Sequence, residues 1–304
     1  MYDIIVVGAG PAGLTAALYA RRADKSALII ERSTFGGQIT HSPKVENYPG
    51  FAQMSGTEFA DKLVEQVLSQ GAEIELDTVT GISGTAGDMT VHCDGGDYKA
   101  AAVIIATGSH HRQLGLPNEN KFIGEGISYC AVCDGAFYRG KRVAVIGGGN
   151  TALQEAIMLS DLCTEVTVVQ MLDYLTGEQR LINDVAERSN ITVRLSSGVA
   201  EILGDTAFEG IMITTAGGTE RLDVDGVFVA IGQQPENEPF ASAVALDERG
   251  YIMAGENCLP QSQCSGVFVA GDCRTKDIRQ ITTATADGAV AALAACRLVD
   301  SLKG

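Results

Sequence analysis

The chain has 304 residues, enough for one large domain or two ordinary ones with well-buried cores. Hydrophobic residues make up 45% and charged residues 20% of the chain, and the longest apolar runs fall far short of a membrane span. The net charge of −16 argues against nucleic acid and anionic membranes as partners. Because no basic leader precedes the first apolar run, we expect a soluble, cytoplasmic protein without a signal peptide.

The N-terminal stretch has the pattern of a dinucleotide-binding βαβ unit. An apolar run over residues 3–7 precedes a glycine-rich turn, a helical spacing of apolar residues follows, and a second strand ends in an acid. The glycines permit a tight turn and bring a pyrophosphate to the helix N-terminus, while the acid accepts from a ribose hydroxyl. The residues assigned to this site are Gly8, Gly10, Pro11, Ala12, Gly13 and Glu31.

Loops and a helix follow this unit. Residues 36–38 and 46–50 are loop material, and Ser55 begins a capping box that predicts a helix ending near Gly71. Residues 73–105 are predicted to form a meander of short strands.

A CxxC pair, Cys130 and Cys133, lies near the middle of the chain. Such a pair closes a small disulfide ring and exchanges with disulfides on other molecules. Asp134 follows directly and is placed to move the protons that this exchange consumes and releases. The other six cysteines are scattered, so we expect free thiols and no metal site.

The pattern of the N-terminal unit occurs a second time after the cysteine pair. Residues 142–146 form a strand, residues 147–152 the glycine turn, and residues 165–170 the next strand. A further repeat links residues 103–108, 227–232 and 267–272, three similar strands of which the third most simply returns the chain to the first module. The sequence therefore predicts an α/β fold of two dinucleotide-binding modules, with the second inserted in the first.

Taken together, these motifs resemble the low-molecular-weight, bacterial type of thioredoxin reductase, a flavoprotein disulfide reductase family. The resemblance runs nearly from end to end. The motifs that carry it are Gly8–Gly13, Gly36-Gly37-Gln38, Glu46-Asn47-Tyr48-Pro49-Gly50, Ala106-Thr107-Gly108, Cys130–Gly135, Gly147–Thr151, Asp247–Tyr251, Gly271-Asp272 and Arg279-Gln280.

The resemblance implies an α/β fold of two Rossmann-like dinucleotide-binding domains of the three-layer ββα type, the second inserted in the first, and it also implies residue roles. An FAD domain spans residues 1–113 and 246–304, and an inserted nucleotide-type domain with the CxxC pair spans residues 114–245. FAD reduces the pair, Cys133 lies against the flavin, Cys130 attacks a thioredoxin disulfide, Asp134 is the acid, and a homodimer is expected. The further FAD residues are Gly37, Gln38, Asn47, Thr107, Gly108, Gly271, Asp272, which holds the ribityl chain, Arg279 and Gln280. The residues that the resemblance assigns to a nicotinamide dinucleotide are Gly147, Gly149, Asn150 and Thr151.

One segment departs from the family pattern. In the family, the strand after the second glycine turn ends in His-Arg-Arg, with a further arginine four residues on, and these arginines hold the 2′-phosphate of NADPH. Here Met171, Leu172 and Thr176 replace the three arginines, and the neighbouring Asp173 would repel a phosphate. Losing such charge-assisted contacts costs about 1.5–3 kcal/mol each.

Three electron donors remain open. NADPH would need Arg180 or Arg188 to replace the missing arginines, and NADH would need Gln170 or Asp173 to meet the 2′-hydroxyl. The third donor, which the sequence favours, is a protein such as ferredoxin or another flavin carrier, because some members of the wider family lack the basic motif. The capping pattern Thr176-x-x-Gln179 offers a purely structural reason for Thr176.

A function of another class is a flavoprotein that senses redox state and binds partners without turnover. The CxxC-Asp sequence favours the enzyme, because a sensor has no need of the acid. His110 and His111 occupy the first predicted crossing between the domains, and with His41 they are either exposed imidazoles or contacts near the flavin or a partner.

Overall fold

The computed structural model describes residues 1–42, 45–262 and 264–303, without the side chain of His41. The α-helices are α1 (Pro11–Arg22), α2 (Gly56–Ser69), α3 (Ala131–Asp134), α4 (Asn150–Ser160), α5 (Gln179–Ala186) and α6 (Ile281–Lys303). The strands are β1 (Tyr2–Val7), β2 (Ala27–Glu31), β3 (Glu73–Leu76), β4 (Val79–Thr85), β5 (Asp88–Cys93), β6 (Gly96–Ile105), β7 (Ser109–His111), β8 (Ile127–Ser128), β9 (Arg142–Ile146), β10 (Glu165–Val169), β11 (Ile191–Arg194), β12 (Gly198–Leu203), β13 (Gly210–Thr215), β14 (Gly218–Leu222), β15 (Gly226–Val229), β16 (Gln233–Pro235) and β17 (Val267–Val269).

Two compact units make up the chain. The first combines Met1–His110 with Gln234–Gly304, and the second is the continuous segment His111–Gln233. The second boundary therefore lies 12 residues ahead of the predicted one at 245–246, because the apolar residue Phe240 packs in the core of the first unit.

The first unit is built on a seven-stranded sheet. Strands β3, β2, β1 and β6 pair in that order and in parallel, β17 pairs in parallel with β6, and β4 and β5 continue from β6 as an antiparallel meander. Helices α1 and α6 pack against each other over one face of the sheet. Both faces carry apolar side chains, which matches the nearly continuous apolar sequence of β1, β2 and the end of β6.

The second unit repeats this plan on a smaller scale. Its parallel sheet has the order β11-β10-β9-β15-β8, and β12, β13 and β14 form a separate antiparallel meander. Helix α4 follows β9 and packs on its sheet, as α1 follows β1. The predicted α/β fold with two Rossmann-like domains is confirmed.

Two local predictions are also confirmed. Ser55 caps α2, since its side chain accepts a hydrogen bond from Glu58 N at 3.1 Å. The third of the three similar strands, β17, pairs with β6 and so returns the chain to the first unit. Among residues 1–42, 45–262 and 264–303, no helix combines the length and apolar character needed to cross a bilayer, and no group of side chains suits a metal ion.

Candidate active site

The centre of the site is the Cys130–Cys133 pair, which is disulfide-bonded with a Cα–Cα distance of 5.3 Å. Cys130 is the N-cap of α3, and Cys133 N donates to Cys130 Sγ at 3.2 Å. Between them, Val132 exposes 57% of its surface to solvent. The short helix thus places the two sulfurs beside each other on a turn that another protein can approach.

Asp134 lies at the end of the same turn and is tied to its beginning through Ser128. The Ser128 hydroxyl donates to Asp134 Oδ2 at 2.6 Å and accepts from Cys130 N at 3.1 Å. Burial raises the pKa of Asp134, and the hydrogen bond from Ser128 opposes this shift only in part. The other oxygen, Oδ1, is buried and has no hydrogen-bond partner among the described residues. Asp134 is therefore suited to holding a proton beside the cysteine turn.

A second carboxyl, that of Glu155 on α4, contacts the opposite side of the turn. Ala131 N donates to Glu155 Oε1 at 3.3 Å, while Oε2 is buried without a partner in the described part of the chain. Burial raises the pKa of Glu155 to about 7, the hydrogen bond from Ala131 lowers it, and the charge of Asp134 raises it further. The sequence analysis missed this residue, although its place three residues after the buried Ala152, on the apolar face of α4, was a usable signal.

The first glycine turn connects β1 to α1. Gly8 has φ +105°, and a Cβ there would lie 2.5 Å from Ala106 O, so only glycine fits. A Cβ on Gly13 would lie 1.9 Å from Gly8 O, whereas one on Gly10 would meet open space. Helix α1 begins at Pro11 with no side-chain cap, so its first N–H groups remain available to an anion.

Glu31 ends β2 beside this turn. Its Oε2 accepts from Ala9 N at 2.8 Å, and its Oε1 accepts from Ser33 N at 3.0 Å. The predicted ribose acceptor therefore also fixes the backbone of the turn.

The other residues assigned to FAD come from four separate parts of the first unit. Gly37 lies against the turn, because a Cβ on it would be 3.2 Å from Gly10 Cα. Asn47 Nδ2 donates to Gln280 Oε1 at 3.2 Å, which joins the 46–50 loop to the residue before α6. Thr107 donates to Asn237 Oδ1 at 3.2 Å. The remaining residues lie next to these positions in the chain, in α1, or between β17 and α6, and they are Ala12, Gln38, Gly108, Gly271, Asp272 and Arg279.

Asp272 tests whether these residues suit FAD. Its Oδ1 is buried with no hydrogen-bond partner among the described residues, and burial raises the pKa of the carboxyl. An orphaned buried oxygen of this kind needs a donor, and a polyhydroxylated chain such as ribityl supplies one. The open space at Gly10 and the free N–H groups of α1 suit a pyrophosphate, so the residues fit the group.

A buried charge cluster supports the backbone at Asp272. Arg274 makes two hydrogen bonds to Asp287, at 2.9 and 2.8 Å, and Lys276 Nζ donates to the same carboxylate at 3.0 Å. Asp287 also accepts from Gly271 N at 3.0 Å. Burial opposes ionisation of Asp287, but the hydrogen bonds from Arg274 and Lys276 lower its pKa overall. The sequence analysis missed this cluster because a loop and more than one turn of α6 separate Arg274 and Lys276 from Asp287.

The second glycine turn connects β9 to α4. Gly147 has φ +130° and lies against Ala230 O in the manner of Gly8 and Ala106. Gly149 is the N-cap of α4, and Asn150 and Thr151 form its first turn. The fold therefore repeats the phosphate-binding geometry that the sequence predicted here.

The segment of residues 170–178, however, folds onto this second turn. Thr176 N and Gly177 N both donate to Gly148 O, at 2.8 and 3.0 Å. Asn150 and Glu178 exchange two hydrogen bonds, from Glu178 N to Asn150 Oδ1 at 2.7 Å and from Asn150 Nδ2 to Glu178 Oε1 at 3.0 Å. These bonds engage the Asn150 side chain, while α4 itself begins without a side-chain cap, as α1 does.

Gln170 fills the space beneath the same turn. Its side chain is buried, donates from Nε2 to Tyr174 O at 3.2 Å and accepts from Met171 N at 3.1 Å. A Cβ on Gly148 would lie 2.7 Å from its amide carbon. By contrast, Met171 exposes 77% and Leu172 43% of their surfaces.

The capping box predicted for Thr176 and Gln179 is wrong. Helix α5 begins at Gln179 with Glu178 as its N-cap and without a side-chain cap. The reason is that Glu178 N donates to Asn150 Oδ1, and this hydrogen bond fixes the backbone at the start of α5 with Glu178, not Thr176, at the N-cap.

The remaining predicted residues are placed as follows. His110 Nδ1 lies 3.7 Å from Glu236 Oε1, and His111 stacks on Tyr129 with ring centroids 5.3 Å apart, so both imidazoles have partners. The side chain of His41 lies outside the described part of the chain. The six other cysteines are free thiols, as predicted.

Comparison with known proteins identifies related sequences along the whole chain. The family model described as pyridine nucleotide-disulphide oxidoreductase matches residues 2–288. A thioredoxin reductase of Listeria innocua is 40% identical, with 100% of this chain and 95% of that protein covered. A Clostridium pasteurianum protein named for its place in a rubredoxin operon is also 40% identical, with 96% of each chain covered. The crystal structure of thioredoxin reductase from Streptococcus pyogenes superposes with a TM-score of 0.92 at 36% identity, covering 99% of both chains.

Proposed function

The chain belongs to the pyridine nucleotide-disulphide oxidoreductase family, as a flavin-dependent oxidoreductase, and from that premise we propose that it is a thioredoxin-disulfide reductase whose electron donor is not NADPH. The observation that carries the first part is the Cys130–Cys133 disulfide on an exposed turn, with the buried acid Asp134 at its end. The second part is supported by the 170–178 segment, which contains no arginine and is hydrogen-bonded to the second glycine turn.

The proposed cofactor is FAD, held by the first glycine turn, the N-terminus of α1 and Asp272. When bound, FAD supplies the two electrons that open the Cys130–Cys133 disulfide. The chain's own residues orient it, since Asp272 offers a buried acceptor and α1 offers free N–H groups and the positive end of its dipole.

The two cysteines then carry out thiol–disulfide exchange. Cys130 Sγ attacks one sulfur of the thioredoxin disulfide and forms a mixed disulfide, and the departing thioredoxin sulfur takes up a proton. Cys133 Sγ next attacks Cys130 Sγ, which releases the second thioredoxin sulfur as a thiolate and restores the disulfide. Asp134 is placed to exchange a proton beside this turn, because burial disfavours its charged form and raises its pKa.

The surroundings of the 170–178 segment argue against NADPH as the donor. Arg188, one candidate for the missing phosphate contacts, is paired with Asp161 and donates to Ser160 Oγ at 2.6 Å. In the segment itself, Asp173 and Glu178 are acidic, and like charges near a phosphate raise the free energy of binding.

NADH is disfavoured by the position of Gln170. The side chain that would meet a ribose hydroxyl is buried in its own loop with both polar atoms engaged. The donor that fits best is a protein electron carrier such as a ferredoxin, or another flavin carrier. The homodimer implied by the family resemblance and the cytoplasmic location expected from the sequence belong to the same proposal.

The reductase activity is tested with Cys130→Ser. With the flavin reduced anaerobically by dithionite, wild type should convert an excess of thioredoxin disulfide to dithiol, measured by alkylation and gel shift. Cys130→Ser should abolish this conversion while its flavin still bleaches, because the sulfur that attacks thioredoxin is gone. Cys264→Ser, which alters a free thiol far along the sequence, is the matched control and should keep full turnover. Turnover retained in Cys130→Ser would overturn the proposal.

A further inference from the structure

Two carboxyls, not one, border the turn that holds the disulfide. Asp134 ends α3, and Glu155 reaches Ala131 N, the first N–H of α3, from helix α4. Each carboxyl has one oxygen in a hydrogen bond, and its other oxygen is buried without a partner among the described residues. We propose that Glu155 is a second proton-holding residue of the disulfide site, which positions the Cys130–Cys133 turn through Ala131 and supplies a proton when the disulfide is opened.

The first argument is the charge balance around Glu155. The carboxylate form of Asp134 raises the pKa of Glu155. The causes of that shift do not include the ionisable residues of the elements that pack most on α4, which are Arg180 and Asp184 of α5, Arg142 of β9 and Glu165 of β10. A buried carboxylate without a counter-cation is costly, so the neutral acid is the favoured form in the folded protein. Burial accordingly raises the pKa of Glu155 to about 7, which allows both the acid and the carboxylate at physiological pH.

The second argument is the proton demand of the reaction. Opening the disulfide breaks the S–S bond and, with two electrons, leaves two sulfurs that together need two protons to become thiols. Asp134 can supply one proton and Glu155 the other, after which both carboxylates regain protons from water. A residue whose pKa lies near the working pH is best suited to such transfer.

This inference rests on the proposed function only in treating Cys130–Cys133 as a redox pair. It is therefore tested without thioredoxin and without a biological donor, by reducing the disulfide of the holoprotein with a water-soluble phosphine. The phosphine gives the electron pair and becomes its oxide with oxygen from water, and the two protons remain on the sulfurs. The rate constant for the protein is divided by the rate constant for reduction of oxidised glutathione by the same phosphine at the same pH. This ratio removes the pH dependence that comes from protonation of the phosphine.

In wild type, this relative rate should fall as the pH rises above about 7, because Glu155 loses its proton. Glu155→Gln keeps an oxygen that can accept from Ala131 N but cannot titrate. The variant should therefore be slower below pH 7 by about a hundredfold, the lower end of what a positioned acid contributes, and its pH–rate profile should lose the break near pH 7. Glu155→Asp should restore the break with a smaller amplitude.

An infrared titration of the oxidised protein provides a second readout. Wild type should show a carboxylic-acid C=O band that disappears near pH 7, and Glu155→Gln should lack this band. The matched control is Gln154→Glu, which adds a carboxyl on the exposed side of α4 and should add no band that titrates near neutrality.

Persistence of either the break or the band in Glu155→Gln would overturn the inference, as would their absence from wild type. If both behave as expected while thioredoxin is not reduced, the proposed function fails and the inference stands.

Discussion

At the scale of single residues, the proposed proton transfer at the disulfide depends on two carboxyls whose burial favours the protonated form. Asp134 and Glu155 approach the turn of Cys130 and Cys133 from two different helices, and burial raises the pKa of both carboxyls. Neutral acids beside a disulfide supply protons without placing negative charge near an attacking thiolate. The same burial makes the stability of the protein depend on pH.

The sign of that dependence follows from the pKa of Glu155. It rises from an ordinary value of 4.5 to about 7, so between these values the folded protein holds a proton that the unfolded chain has released. Stability should therefore fall as the pH rises through this window and level off above it. Glu155→Gln should remove the decline and exceed wild type above the window by about 1–3 kcal/mol.

Urea unfolding of the oxidised holoprotein, below and above the window, measures this difference. Glu165→Gln, at an exposed position, is the control and should follow wild type at both values. A Glu155→Gln variant that is less stable than wild type above the window would show that Glu155 is ionised and stabilising there.

The sequence revealed only part of this residue-scale arrangement. Cys130, Cys133 and Asp134 could be predicted because they are contiguous and their chemistry is recognisable without a fold. Ser128 and Glu155 could not, because Glu155 becomes a neighbour of the turn only when α4 packs against α3. Periodicity places Glu155 on the buried side of its helix but does not say which backbone N–H it meets.

At the scale of elements, the 170–178 segment contacts the second glycine turn and bears on the proposal for the electron donor. The turn keeps its shape, yet the segment covers it through Gly148 O, Asn150 and the side chain of Gln170. Under the proposal that the donor is not a nicotinamide dinucleotide, the turn serves as a packing device between β9 and α4, since glycines alone are weak evidence for a bound nucleotide. The βαβ elements were predictable from their patterns, whereas the N-cap of α5 depended on the long-range contact of Glu178 with Asn150.

Restoring the arginines tests this account of the segment. The triple variant Met171→Arg, Leu172→Arg, Thr176→Arg places cations where the family binds the 2′-phosphate, and all three positions are already exposed. Flavin reduction by NADPH should become at least tenfold more efficient, because one charge-assisted contact contributes about 1.5–3 kcal/mol.

The control for this experiment places glutamine at the same three positions, which adds polarity without charge and should give no gain. Reduction by NADH should be unchanged in the arginine variant, because NADH lacks the 2′-phosphate. If the arginine variant gains nothing with NADPH, the 2′-phosphate does not bind at this segment.

At the scale of the whole molecule, the chain repeats one βαβ plan in two units and uses the copies differently. The first keeps an open glycine turn and the orphaned Asp272 oxygen that suit FAD, while the second carries the cysteine pair and a covered turn. This division was visible in the sequence as an internal repeat. The covering of the second turn was not, because it depends on side-chain positions in the 170–178 segment.

The overall charge of −16 bears on the proposed donor. An acidic carrier would be repelled at long range, so productive docking would require a local basic surface, and its rate should rise with salt up to the point where specific contacts are screened.

The most direct test of the central claim is anaerobic mixing of the oxidised protein with NADPH, then with NADH, then with a reduced ferredoxin, while flavin absorbance is followed. We predict that neither nicotinamide dinucleotide bleaches the flavin efficiently, that the protein carrier does, and that thioredoxin then reoxidises the protein through Cys130 and Cys133. Rapid bleaching by NADPH at low micromolar concentration, near the lower end of ordinary enzyme KM values, would contradict the account.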